Sequence, residues 1–328
     1  MRDEVRRRCE SMIANRDAIQ KVFRWGHGLL CVTEACMYTM KGKTVDGERL
    51  QMCRDLIKDK TGVFSGFRGN VQTVIAATLA LGHNPEGTLE NGLTVYKMLK
   101  KRMWDSAYLP MAAMSIARLA PAERYEEIVE KTKEIYDLIK KEHPFLTSAE
   151  DVSFCALLAL SEKSTEELVT EAERCYRFLT EHTRFPKNSV QSLSHVLALC
   201  EGVPEEKCEK TIELYDTLHA CGLKYGNIYE LPMLGILAVN NSDFEHLAEE
   251  LQEISTWLSK QKGFGFWGSI TVKQRLMFGG MLLQEQEEEG DLSESALVQS
   301  AVATIVAQEA AMMAVMASTA AATTAANS

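Results

Sequence analysis

The chain has 328 residues, 46% of them hydrophobic, which is ample material for a large buried core. Lys+Arg 36 against Asp+Glu 46 leaves a net charge of -10, and that balance excludes a broad phosphate-binding surface, so no nucleic-acid partner is expected. Nine cysteines form an odd set without a Cys-x-x-Cys pair and sit among apolar neighbours, which reads as reduced thiols in a cytoplasmic protein. Charges at Asp3, Glu4, Glu10, Arg16 and Asp17 interrupt the N-terminus, so secretion is not expected. The cluster Arg2, Arg6, Arg7 and Arg8 is interleaved with those acids and reads as a solvated helix face.

Residues 1 to about 24 carry Val5, Cys9, Met12, Ile13, Ile19 and Phe23 on one face at helical spacing. A second helix runs through Leu29, Leu30, Val32, Ala35 and Met37 to the turn at Lys41-Gly42-Lys43, and a third begins near Asp46. Residues 1–62 therefore read as an N-terminal helical cap with a degenerate repeat.

From 63 to 284 a two-helix pattern returns with a period of about 40 residues, giving about five and a half repeats. Alanines close apolar runs at Ala80, Ala120, Ala159, Ala198 and Ala238, and a tyrosine recurs at Tyr96, Tyr136, Tyr176 and Tyr215, with Ser255 in its place in the next copy. In the second helix of each repeat the stripe Ile128, Thr132, Ile135, Tyr136, Ile139 maps onto Leu168, Ala172, Cys175, Tyr176, Leu179. The apolar face recurs while the charges between vary, a pattern set by packing.

Ser164 with Glu167, and Ser242 with Glu245, fit capping boxes. Pro85, Pro121 and Pro204 fall at first turns, whereas Pro110 and Pro232 predict a bend or a late helix start. No segment alternates apolar and polar residues long enough to require a sheet, so the fold class is all-α: a right-handed α-α superhelix, or solenoid, of about 40-residue helical hairpins. The alternative is a closed α/α toroid of six or so hairpins. Residues 285–328 read as an acidic linker, an Ala/Met-rich helix and a frayed end. Gln299, Gln308 and Glu309 argue against a membrane span there, leaving a docked or self-associating helix.

Gly263-Phe264-Gly265-Phe266-Trp267-Gly268 matches the dinucleotide fingerprint, but that motif requires a strand before it and a parallel-sheet unit around it. It also resembles Gly66-Phe67-Arg68-Gly69, about five periods earlier, so both read as glycine-aromatic openings of a repeat's first helix. At the earlier one, Arg68 and Asn70 add a cation and an amide at a helix N-terminus, a candidate corner for a carboxylate or phosphate. The competing reading has Arg68 pairing with a neighbouring helix. Asp105, Asp151 and Glu230 sit near the starts of first helices in different repeats, either as convergent acids or as caps. Trp104, Tyr108, Tyr229 and Trp267 supply aromatic surface in the same regions. The seven histidines form no ligand set, and no zinc, serine-hydrolase or Walker motif is present, so no cofactor or metal is expected.

The run Phe64-Ser65-Gly66-Phe67-Arg68-Gly69-Asn70, the Ala-Leu-Leu-Ala-Leu-Ser of 156–161 and the Ala-Gln-Glu-Ala-Ala-Met of 307–312 together resemble an uncharacterised bacterial family of all-helical proteins of this length. The resemblance implies a cytosolic helical protein and brings no catalytic residues with it.

Two functional expectations follow from these features. The first is a non-enzymatic scaffold that binds a peptide, a protein or its own copy along the surface lined by the repeats' first helices. The second is a toroidal enzyme acting on a glycan or other small substrate through convergent carboxylates.

Overall fold

A computed structural model of the chain describes residues 1–23 and 28–284. Fourteen α-helices and no strand occur among the described residues: α1 (Asp3–Val22), α2 (Gly28–Met40), α3 (Gly47–Lys60), α4 (Asn70–Leu81), α5 (Pro85–Lys100), α6 (Leu109–Leu119), α7 (Tyr125–Glu142), α8 (Asp151–Leu160), α9 (Thr165–His182), α10 (Lys187–Leu199), α11 (Pro204–Ala220), α12 (Leu231–Asn240), α13 (Phe244–Ser259) and α14 (Val272–Leu283). The acidic segment and tail from 285 onward lie outside the described residues.

Two kinds of helix alternate. The odd-numbered ones are long and amphipathic. In α7 the buried positions Ile128, Thr132, Ile135 and Ile139 form one stripe, and lysines and glutamates occupy the rest. The even-numbered ones are short and mostly buried all round, with exposed polar residues confined in α10 and α14 to the opening turn, and every residue of α8 is buried. A helix without a polar face has to be surrounded by protein, and that requirement sorts the helices into two layers. Each odd helix packs against the even helix that follows it, each even helix against the next even one, and each odd helix against the next odd one.

The expected array of hairpins is therefore present, and it returns on itself. Helix α14 packs against α2 as well as α12, and both α13 and α14 pack against α1. Seven hairpins thus close into a double ring, even helices inside and odd helices outside, in the toroidal form that stood as the alternative. Polar contacts span the seam. Arg2 Nε meets Glu250 Oε1 at 2.7 Å, and Arg8 Nη1 donates to the carbonyls of Leu282 and Gln284 at 3.0 and 2.8 Å. Arg16, almost wholly buried, donates to Lys262 O at 2.8 Å and lies over the Phe264 ring.

Capping follows the expected chemistry with one correction. Ser164 and Glu167 form a reciprocal capping box on α9. Helix α13 is capped by Asp243, whose carboxylate accepts from His246 N at 3.0 Å, and not by Ser242; the one-residue shift uses the stronger, charged acceptor. Pro110 and Pro232 fall at the first turns of α6 and α12, where a missing N–H leaves nothing unpaired. The boundary drawn at 62/63 falls in the connection between α3 and α4, inside one closely packed hairpin.

The recurring tyrosines stitch neighbouring hairpins together. Tyr96 on α5 meets Phe67 of the α3–α4 connection edge-on at 5.2 Å. Tyr176 on α9 packs on His143 of the α7–α8 connection at 4.3 Å, and Tyr215 on α11 on Phe185 of the α9–α10 connection at 4.8 Å. Each of these three rings holds the connection of the hairpin before it, which gives the recurring tyrosine a packing role at those positions.

Candidate functional site

Because inner and outer helices alternate, every outer-to-inner connection emerges on one face of the ring and every inner-to-outer connection on the other. All nine candidate residues lie on the first of these faces, in the connections or the opening residues of α4, α6, α8 and α12. Seven inner-helix N-termini point toward it. Among their first turns only α8 carries an acid, Asp151; those of α2, α4, α6, α10, α12 and α14 carry none. Each of the seven outer helices, by contrast, has an acid in its first turn, on the opposite face.

Taken singly, the polar candidates serve their own connections. Arg68 donates from Nη2 to the carbonyls of Lys58 and Thr61 at 2.6 and 2.7 Å, and from Nε to Thr61 Oγ1 at 3.1 Å. It closes the C-terminus of α3, the neighbouring-helix role, and these donors are unavailable to an anion. Asn70 opens α4, and its side chain lies outside the described part of the structure. Asp105 is exposed, accepts from Tyr96 Oη at 2.8 Å and pairs with Lys100 at 2.7 Å. Burial opposes its ionisation, but the bonds from Lys100 and Tyr96 outweigh this and hold its carboxyl below the usual range.

Asp151 and Glu230 are both buried. Asp151 Oδ2 accepts from Ser148 N at 2.7 Å, and desolvation lifts its pKa to about 7 despite that bond. Glu230 Oε2 accepts from Ile228 N at 3.1 Å, and desolvation raises it too. Its carboxyl lies against Gly226, where a Cβ would fall 2.0 Å from Glu230 Cδ, so a larger residue there would have to displace the carboxyl. Tyr108 precedes α6 and its carbonyl accepts from Ser153 Oγ at 3.4 Å, while Tyr229 Oη accepts from Gln274 Nε2 at 2.5 Å. The three acids are therefore tied within separate hairpins. Among the described residues no cluster of three His, Cys, Asp or Glu would hold a metal.

The aromatics behave differently. Trp104 and Trp267 stand 95% and 94% exposed, and Phe64, Phe145 and Phe266, which were not among the nine candidates, are more than nine-tenths exposed on the same face. Eight of the ten exposed large apolar residues among those described sit on this face: Val63, Phe64, Trp104, Phe145, Ile228, Phe266, Trp267 and Val272. The remaining two are Met52, on the outer helix α3, and Val203, on the opposite face. The signal for Phe64 and Phe145 was available, since each falls in a Gly-, Ser- or Thr-containing turn just before an apolar helix, where core packing has no use for a ring.

The dinucleotide-like glycines are explained by the α13–α14 connection. Gly263 has φ +88°, and a Cβ on Gly268 would stand 2.1 Å from Gly263 O. The loop closes on itself with Ile270 N donating to that same oxygen at 3.1 Å, and it projects Phe266 and Trp267. It joins two helices, so the phosphate-binding context is absent.

Two buried polar groups stand apart from this face. Both Glu34 carboxyl oxygens lack a hydrogen-bond partner, and the residue is fully buried on α2. Desolvation raises its pKa well above the ordinary value, so the neutral acid is held inside the ring. His195 Nδ1 is likewise unpartnered, and burial pushes its pKa down to about 3. A cavity of about 10 Å³ beside it, lined by His143, Glu173, Tyr176 and Gln191, has room for one water at most.

The architecture is that of a closed ring of helical hairpins whose loops build one aromatic face. The chain belongs to the family described as a protein of unknown function, DUF4003, whose model matches residues 15–311. It is also similar to an uncharacterized protein, YeaA, of Bacillus subtilis (strain 168), with 24% identity over 284 residues covering 85% of this chain and 84% of the relative. No solved structure matches.

Proposed function

We propose that this protein is a non-enzymatic binding scaffold whose working surface is the aromatic face of the ring. The observation that carries this reading is the near-complete exposure of Phe64, Trp104, Phe145, Phe266 and Trp267 in four separate connections of one face. Exposed apolar surface concentrated on one side of a molecule marks an interaction site. The enzyme reading draws less support, since Asp151 and Glu230 are each bonded to a backbone amide of their own connection and Asp105 is paired with Lys100. The nine free cysteines, eight of them buried or half-buried, favour a reducing compartment and hence a cytoplasmic protein.

The test is capture from a bacterial lysate by the full chain, compared with the triple variant Trp104→Ser, Phe145→Ser, Trp267→Ser. These side chains are almost fully exposed, so the variant is expected to fold and melt like the wild type while losing the captured component. Retention of the same components by both proteins overturns the assignment of this face. Turnover of a small substrate that survives the triple substitution but not Asp151→Asn or Glu230→Gln would favour the enzyme instead.

A further inference from the structure

The charge on the aromatic face has the opposite sign to that of the whole chain. In the six described outer-to-inner connections the exposed charged residues are Lys101, Arg184, Lys224, Lys260 and Lys262 against the single acid Asp105, which is already paired with Lys100. Lys187 and Lys273 extend the same sign into the opening turns of α10 and α14. The inner-helix N-termini add partial positive charge, offset by acids only at α8, through Glu150 and Asp151, and at α12, through the buried Glu230. The acids behind the net charge of -10 include the first turns of all seven outer helices, on the far side of the ring.

We propose that the aromatic face docks on an anionic lipid bilayer, Phe64, Trp104, Phe145, Phe266 and Trp267 entering the interfacial region while the surrounding lysines and arginine meet acidic headgroups. This inference rests on the binding-face reading above and names its partner. Three observations favour a bilayer over a folded protein. The five rings are borne on four connections, Phe266 and Trp267 packing edge-on within one of them, and all stand more than nine-tenths exposed, so no groove is shaped around them. A protein partner has to supply a fitted pocket for each such tip, whereas a lipid surface yields locally to all of them.

Tryptophan and phenylalanine beside lysine and arginine is also the composition of an interfacial anchor, the rings entering the interface while the basic residues are drawn to an acidic surface. The third observation is distance. Inner helices of 10 to 13 residues span about 15–20 Å at 1.5 Å per residue, about two Debye lengths at physiological salt, so the acids of the far face are screened from the membrane. No described helix is long and apolar enough to cross a membrane, and surface docking requires none.

The experiment is flotation of the full chain with vesicles of phosphatidylcholine alone and of phosphatidylcholine containing about 30 mol % phosphatidylglycerol. The wild type is expected to float with the acidic vesicles at least about tenfold more than with the neutral ones, and to be released by about 0.5 M salt. Trp104→Ser, Phe145→Ser, Trp267→Ser is expected to lose at least about tenfold in binding with an unchanged circular-dichroism melt, and Lys224→Glu with Lys262→Glu to weaken it without touching an apolar contact. Absence of flotation with acidic vesicles, or equal flotation of the wild type and the aromatic variant, overturns the proposal. Bare vesicles together with a lysate protein that the aromatic variant fails to capture would remove the lipid and leave the binding face standing. Loss of neither vesicles nor lysate components in that variant would remove both.

Discussion

A carboxyl buried at the start of a helix and satisfied by one backbone amide, as in Asp151, trades hydration for a single hydrogen bond, and the trade depends on protonation. Its folded pKa of about 7 lies above the ordinary carboxylate value, so between about pH 4 and about pH 7 the folded state holds a proton that the unfolded chain releases. Stability contributed by this group is therefore present below the unfolded value and is lost as pH rises through that window. Glu34, with no partner at all, acts in the same direction toward higher pH. We expect Asp151→Asn and Glu34→Gln each to flatten the fall in urea midpoint between about pH 5 and about pH 8, Asp151→Asn raising stability at the upper end by on the order of 2 kcal/mol. An unaltered slope in both variants would mean that these acids are hydrated and ionised.

At the scale of the element, the α13–α14 connection illustrates how a motif acquires its residues from geometry. Gly263 supplies a left-handed turn, Gly268 lets the chain cross its own backbone, and Phe264 between them is fully buried against Arg16. Gly268→Ala is expected to cost about 2 kcal/mol by thermal or urea unfolding, because its Cβ meets backbone that has no rotamer to move. The same substitution should shift the loop tip, so accessibility of Trp267 to iodide is expected to change with it. The tyrosine contacts work at this scale as well, and they make each connection depend on the next outer helix. That dependence is legible in the sequence as a period, although its partner residues Phe67, His143 and Phe185 are not, since they follow no common spacing.

For the whole molecule the decisive property is closure. A compact body of this length has a radius of gyration of about 20 Å, and solution scattering is expected to give a value near it, whereas an extended array of the same hairpins would be markedly longer. The seam should also carry stability out of proportion to its size. Arg16→Met removes a buried cation that bonds Lys262 O and covers Phe264, and we expect it to cost about 3 kcal/mol while leaving the outer-helix face unchanged. A seam variant as stable as the wild type would indicate a ring held by its other helix pairs alone.

The sequence by itself determined the helical class, the two-helix unit, the recurring core stripe of the outer helices and the apolar runs of the inner ones, because each follows from residues within one or two turns of one another. The positions it singled out, Arg68, Trp104, Asp105, Tyr108, Asp151, Tyr229, Glu230 and Trp267, lie in connections or helix openings that share one face. Tertiary structure alone decided whether the hairpins stay open or meet, for closure is the sum of small rotations between neighbours that no single residue records. It decided equally that Asp151 and Glu230 are bonded inside their own hairpins while five aromatic rings are left in the open, because burial is a property of what the rest of the chain covers.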